Sequence, residues 1–270
     1  MVGDEVSTGG GPAELTAGVR AGYEAAAEDW ADGPGPMYAQ LARVLVAAAP
    51  VPLGGRLVLD LGAGAGVAGR AALAAGARRV VAVDLSEGML RRGDGGHPVV
   101  ADAVALPFRD GSFDLVVAAF CLNHLGSLAA GLAEARRVGA AIAASMFAPG
   151  WTHPAKDAVD DAVRSFGYRP PAWHTALQPG SRASDLKVVA RCAAAAGFTR
   201  VQAHTAAVPT GLATPAELVS WRLGMAHLAP FMRSLDAPGR AAVRRASEQA
   251  VAAAAGAGPL VVRMVVLTAS

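Results

Sequence analysis

Cysteine is almost absent from this 270-residue chain, which has only Cys121 and Cys192. Both lie in apolar or alanine-rich stretches, so they read as buried thiols in a reducing, cytoplasmic setting, with no disulfide expected. Lysine is as scarce, at Lys156 and Lys187, and arginine supplies the other 22 of the 24 basic residues. That bias, with abundant alanine, glycine and proline, reads as a genome-composition effect. The formal net charge is only +2 and no arginine run is interleaved with aromatics, which argues against a nucleic-acid partner. Charged types are only 17% and apolar types 53%, which excludes long-range disorder. No uninterrupted apolar run reaches the roughly 18 to 20 residues of a membrane span. Residues 1–12 are glycine-rich and carry Asp4 and Glu5 where a signal peptide would be basic and then apolar. The expectation is a soluble protein without a membrane partner, monomer or homodimer, long enough to bury its core without a metal or disulfide staple.

What is present falls into three parts. Residues 1–52 read as a loose N-terminus and two alanine-rich helices, 13–31 and 36–49, the second stopped by Pro50 and Pro52. Residues 53–147 change texture: β-branched runs at 56–61, 80–83, 99–101, 113–119 and 140–147 alternate with alanine-rich helical stretches. Such alternation argues for a parallel α/β sheet covered on both faces. Residues 148–270 are less regular, with a helix at 184–196, a strand at 198–205, a helix at 238–255 and a last strand at 260–268. Within them Thr214-Pro215-Ala216-Glu217 is a capping box that opens a helix expected to run to about Met232.

The most informative segment is Leu57 to Gly66, a buried-type strand running into Gly62-Ala63-Gly64-Ala65-Gly66 and then a helix. Glycines there let the backbone turn sharply and let a ligand approach closely. A triphosphate loop needs Lys and Ser/Thr after the last glycine, and Val67-Ala68 stand there instead. A dinucleotide loop wants a third glycine where Val67 stands, and Asp60 at the strand end opposes a pyrophosphate. S-adenosylmethionine has no phosphate and carries an ammonium and a sulfonium, so Asp60 suits it best of the three. Asp84 ends the second strand 18 residues after Gly66, where a carboxylate can accept both ribose hydroxyls, and Asp102 ends the third run, where one can accept from an adenine amino group.

Five segments in order carry a family resemblance: Leu59–Gly66, Val83-Asp84-Leu85-Ser86-Glu87-Gly88-Met89-Leu90, Ala101-Asp102-Ala103-Val104-Ala105-Leu106-Pro107-Phe108, Gly111–Val116 and Glu134-Ala135-Arg136-Arg137-Val138. Through them the chain resembles class I S-adenosylmethionine (SAM)-dependent methyltransferases, in particular the small-molecule branch similar to the ubiquinone and menaquinone biosynthesis enzymes. The resemblance implies an α/β, Rossmann-like, seven-stranded and mostly parallel sheet with helices on both faces and an antiparallel last strand. An N-terminal helical lid and a helical cap inserted between the last two strands go with it. The resemblance further implies that Asp60 and Gly62 lie beside the methionine moiety, with Ala63, Gly64 and Gly66 completing the loop, and that Asp84 binds the ribose. Leu85 and Met89 would pack on the adenine, Asp102 would accept from its amino group, and the Ala103 backbone would meet the ring. Phe120 belongs to the same set, and Tyr23, with Trp30, would close over the cofactor from the N-terminal helices. The family's Pro-Gly-Gly turn before the fifth strand is missing; Val138-Gly139-Ala140 stands in its place.

Transfer from a sulfonium mainly requires holding the nucleophile close to the methyl carbon, so a dedicated base is optional. The segment after the fourth strand, Phe120-Cys121-Leu122-Asn123-His124, lacks the Asn/Asp-Pro-Pro-aromatic signature of enzymes that methylate bases and protein amides. His124 is the first candidate proton acceptor and His227, on the late helix, the second. Trp151, His153, Trp173 and His174, with Trp221 and Phe231, suggest an aromatic-lined acceptor site, although each alone also reads as a packing residue. Asp157, Asp160 and Asp161 follow the start of a helix, where negative charge is favourable without any metal, and no metal is expected. The expected activity is methyl transfer to an O, N or C atom of a small aromatic or apolar metabolite, yielding S-adenosylhomocysteine. The alternatives are a SAM-binding fold used for cyclisation or rearrangement, an NAD(P)-dependent oxidoreductase, and a regulatory SAM-binding module.

Overall fold

The computed structural model describes residues 11–177 and 184–270, so the loose segment expected at the start of the chain lies almost wholly outside the described residues. One sheet carries seven strands in the order β3-β2-β1-β4-β5-β7-β6. The first five are β1 (Leu57–Leu61), β2 (Arg79–Asp84), β3 (His97–Val100), β4 (Leu115–Ala119) and β5 (Ile142–Phe147), paired in parallel. β6 (Gln202–Pro209) and β7 (Val261–Ala269) complete the sheet, and β7 runs antiparallel to both its neighbours. The strand order reverses between β1 and β4, which opens a crevice beyond their carboxyl ends.

Strand alternation sends successive side chains to opposite faces. Val58 joins a core built with α2 (Gly35–Ala47), α3 (Val67–Ala74), α6 (Pro154–Ser165) and α11 (Ala237–Ala253). Leu59 and Leu61 join the other, built with α5 (Leu128–Val138) and α8 (Leu186–Ala195). Asp60 therefore falls on the face that α3 covers. Beyond these layers lie α1 (Pro12–Ala26), α4 (Glu87–Arg92), α7 (Ala172–Ala176), α9 (Pro215–Leu223) and α10 (Ala229–Ser234).

Several elements differ from their expected bounds. The first helix ends at Ala26 rather than 31, and residues 27–34 form turns. The expected single helix to Met232 is two, α9 and α10, because Gly224 ends α9 against Pro34: a Cβ on Gly224 would lie 2.6 Å from Pro34 Cδ. The capping box itself is formed, with the Thr214 hydroxyl accepting from the Glu217 amide and the Glu217 carboxylate accepting from the Thr214 amide. The strand expected at 198–205 starts later: Phe198 is buried beneath Arg136, and pairing with β7 begins at Gln202. Without the Pro-Gly-Gly turn, the fifth strand starts through a single bridge, Phe113 to Gly139, before β5 proper. Cys192, expected buried, is only half-buried on α8. Among the described residues no helix is long and apolar enough to cross a membrane.

Candidate cofactor and acceptor site

The chain leaves β1 through three left-handed glycines, Gly62 (φ 68°), Gly64 (φ 54°) and Gly66 (φ 77°), a backbone that side chains strain to adopt. Close approach adds a second requirement. A Cβ on Gly62 would lie 2.5 Å from Cys121 Cβ, and one on Gly66 would lie 2.8 Å from the Gly95 amide nitrogen. The Gly93-Asp94-Gly95-Gly96 run before β3 is thus the counterpart of the loop, a packing partner that the motif reading missed although the glycines were visible.

This loop borders a cavity enclosing about 1010 Å³ of empty space, its open mouth included. Gly62, Ala63 and Gly64 line it from the loop, Asp84, Leu85 and Met89 from the end of β2 and α4, and Asp102 and Ala103 from beyond β3. Tyr23, Trp30, Tyr38, Phe120 and His124 form the facing wall. Of the residues expected to hold a cofactor, ten are brought together here, and Asp60 and Gly66 are not. Asp60 is 1% exposed and lies behind the loop, where its Oδ2 accepts from the Gly69 amide at 2.7 Å and its Oδ1 has no partner among the described residues. Burial, with the Asp84 charge adding to it against the Gly69 hydrogen bond, pushes its carboxyl up to about 7. The expectation that Asp60 meets a ligand's ammonium is corrected: it braces the first turn of α3.

Asp84 is half-buried at the cavity edge. Its Oδ2 accepts from the Gly64 amide at 2.8 Å and its Oδ1 from the Ser86 amide at 2.9 Å. Burial raises its carboxyl above the ordinary value, and those backbone hydrogen bonds work against the rise. Asp102 Oδ1 accepts from the Val104 amide at 3.1 Å. Met89 is fully buried beneath the loop, its Cε 3.2 Å from where a Cβ on Gly64 would be.

The facing wall starts at Phe120, the one non-glycine residue among those described with positive φ (56°). That turn sets its ring edge-on to Tyr38 (5.3 Å) and against Phe147 (4.6 Å), while Trp30 stacks on Tyr38 at 5.3 Å. Tyr23 reaches across from α1, its hydroxyl 3.0 Å from His124 Nε2. Burial holds the His124 imidazolium down to about 4 and lifts the Tyr23 phenol well above its usual range, so both are neutral at pH 7. Burial likewise raises the Cys121 thiol. Glu24, a residue the sequence reading passed over, latches the same helix: its Oε2 accepts from the Ser86 hydroxyl at 2.6 Å and from the Gly88 amide at 3.0 Å. The Ser86 hydroxyl is the main cause that holds this carboxyl low.

None of the six residues expected on an acceptor wall lines the cavity. Trp151 stacks on Phe147 at 5.2 Å and donates to the Val261 carbonyl, and His153 caps the start of α6. Trp221 is a core side chain at 1% exposure, and Phe231 packs on Tyr168. Trp173 seats on α1, where Cβ atoms on Gly18 and Gly22 would each come within 2.8 Å of its ring. His174 stacks on His227 at 3.9 Å, and His227 is buried and does not line the cavity, although it lies near enough to His124 for the two to act on each other's charge. Burial, helped by the nearby Arg222 charge, keeps both imidazoles neutral, with His174 down to about 4. Arg222 binds Asp160 through two hydrogen bonds, 2.6 and 2.8 Å, beneath this cap. Burial opposes the Asp160 charge, but Arg222 outweighs it and holds the carboxyl low, so Asp160 is an ion-pair residue rather than a helix-end one. Among the described residues no group of three acids, histidines or cysteines could hold a metal.

The fold, the glycine loop and the strand-end acids together give a class I methyltransferase architecture, and comparison with known proteins finds similarity to methyltransferases over part of the chain. Residues 59–141 match the family described as "Methyltransferase domain". A demethylmenaquinone methyltransferase of Clavibacter sepedonicus is 45% identical over 106 residues, 37% of this chain and 43% of that protein. The chain thus spans less than half the length of such curated relatives. A methyltransferase of Haloferax volcanii, solved with the Trm112 methyltransferase activator, superposes with a TM-score of 0.55 at 17% identity, over 92% of this chain and 96% of its own. Phosphoethanolamine N-methyltransferase 2 of Haemonchus contortus, solved with S-adenosyl-L-methionine, gives a TM-score of 0.53 at 16% identity, over 85% of this chain and 52% of its own. The chain resembles the menaquinone-biosynthesis branch in sequence and shares its sheet architecture with methyltransferases more widely.

The residues present fit SAM better than a phosphate cofactor. The Gly64 amide, a donor that a pyrophosphate would need, is already given to Asp84. Among the described residues that line the cavity there are two carboxylates, no lysine and one arginine, Arg20. A cationic nucleoside is favoured there and a polyanion is not.

Proposed function

We propose that this chain is a SAM-dependent methyltransferase acting on a small, flat, largely apolar acceptor. The observation that carries the reading is the Asp84–Gly64 hydrogen bond, which sets a carboxylate against the glycine loop and occupies an amide that a pyrophosphate would need. Asp84 would take the ribose hydroxyls with its remaining lone pairs, and Asp102 would accept from the adenine amino group. Leu85, Met89 and the Ala103 backbone would enclose the ring, and Gly62, Ala63 and Gly64 would leave room for the methionine moiety. When bound, SAM supplies an electrophilic methyl group on a positively charged sulfur. The aromatic wall of Trp30, Tyr38 and Phe120 would hold the acceptor by its flat face and keep water out. Residues 53–147 would then form the cofactor-binding part, with 1–52 as its lid. The further helices at 148–270 would support that lid rather than touch the acceptor.

Isothermal calorimetry with S-adenosylhomocysteine and NADH tests this directly. Micromolar binding of the homocysteine compound and none of NADH is the expected result; the reverse would end the reading.

A further inference from the structure

His124 stands where a base would stand, yet its hydrogen bonding gives it a different use. Among the described residues its Nε2 has one partner, the Tyr23 hydroxyl, and the Tyr23 hydroxyl has no other. Its Nδ1 is buried and has no partner among the described residues. A neutral imidazole carries one hydrogen, on one nitrogen or the other. If Nε2 carried it, Nε2–H would donate to the Tyr23 oxygen and the phenolic hydrogen would be left inside with no acceptor. With the phenol donating, the imidazole hydrogen sits on Nδ1, and the single unmet group is an N–H donor on a cavity-lining residue. A buried unmet donor is destabilising, and a ligand oxygen would relieve it.

We propose that Tyr23 is a positioning residue: by donating to Nε2 it holds His124 in its Nδ1–H form, so that His124 offers a hydrogen-bond donor to an oxygen of the acceptor and does not serve as a base. The inference rests on reading the cavity as the site of methyl transfer, and it narrows the acceptor class. The other groups on this wall are poor bases as well, since Tyr23 is held neutral and Cys121 is held as a thiol. An acceptor that enters as its anion, with its proton left in solvent, needs no base there. An acidic phenol or enol on a flat ring meets both requirements: its ring suits the Trp30–Tyr38–Phe120 wall and its oxygen suits the Nδ1–H donor.

The test begins with the free full-length chain carrying imidazole-¹⁵N histidine. Long-range ¹H–¹⁵N correlation at pH 7.5 reads the tautomer, with the His124 signals assigned by their loss in His124→Ala. A protonated Nδ1 and an unprotonated Nε2 are expected in the wild type, and Tyr23→Phe should shift His124 towards the Nε2–H form. An Nε2–H wild type, or a pattern unchanged in Tyr23→Phe, overturns the positioning role. For the acceptor class the probe is 4-nitrophenol, followed by its phenolate absorbance in the presence of S-adenosylhomocysteine. About tenfold weaker phenolate binding in His124→Ala supports the class; no binding by the wild type, or equal binding by both proteins, overturns it. The tautomer is read without any cofactor, so it stands or falls separately from the SAM reading, which the calorimetry above decides.

Discussion

One wall of the cavity comes from a single stretch, residues 62–104, whereas the facing wall takes Tyr23, Trp30 and Tyr38 from the start of the chain and His124 from after β4. The first is set by backbone: left-handed glycines, strand ends and carboxylates tied to amides. The second is set by side chains meeting across long sequence separations, and it is backed by a cap none of whose described residues lines the cavity. Trp173 seats α1, Arg233 holds Glu28 at 2.7 Å, and the Arg222–Asp160 pair ties α9 to α6 beneath them. Cofactor affinity should therefore follow the first region and global stability the second.

The largest expected effect lies in the cap. Arg222→Ala leaves Asp160 buried with only Lys156, 3.4 Å away, as a charged partner, and urea unfolding should show a loss of roughly 3 kcal/mol. Replacing the pair together, Arg222→Met with Asp160→Leu, should recover most of that loss; a double variant as unstable as the single one would mean that the pair is not what holds α9 to α6.

Asp60→Asn comes next and separates bracing from ligand binding. The folded-state carboxyl titrates at about 7, above its unfolded value, so folding favours the protonated form. Wild-type stability should be full below about pH 4, fall as the pH rises towards 7 and level off above it, and the asparagine variant should lack this slope. At pH 8 the variant is expected to be more stable by on the order of 3 kcal/mol. Its affinity for S-adenosylhomocysteine should stay within about threefold of wild type, because Asp60 lies behind the loop and not in the cavity.

Asp84→Ala should do the opposite. Loss of a buried charged hydrogen bond is worth roughly 1.5 to 3 kcal/mol, so calorimetry should show a ten- to hundredfold weaker homocysteine complex. If Asp60→Asn weakened binding as much as Asp84→Ala, the division between brace and ligand contact would be wrong. The smallest effect is expected for Glu24→Gln, an exposed residue: affinity should change less than about threefold, while hydrogen exchange in α1 quickens as the latch on Ser86 and Gly88 weakens.

The same division explains what could be read from the sequence. The β1–loop–α3 unit, Asp84 and Asp102 were legible because short-range spacing fixes them: strand, glycine and acid recur within one stretch. Asp60 was misplaced for a local reason that alternation could have exposed, since it shares a face with Val58 and that face is covered by α3. The cap was not legible. An aromatic run such as Trp151 to His174 carries no sign of which neighbour each ring meets, and Trp173 finds glycines of α1 more than 150 positions earlier. Asp160 likewise gave no sign of Arg222, 62 positions away. The break at Gly224 was visible as a glycine, but its cause, the approach of Pro34, was not.

The tie between Glu28 and Arg233 spans 205 positions. A ribosome adding about 5 to 20 residues per second needs roughly 10 to 40 seconds to cover that distance. During that interval α1 has emerged without its seat, its apolar side available to chaperones or to other chains. The middle of the protein can settle as it emerges, but the lid closes only after Arg233 has been made. The yield of properly closed molecules should therefore depend on translation speed and on what shelters the first helix while it waits.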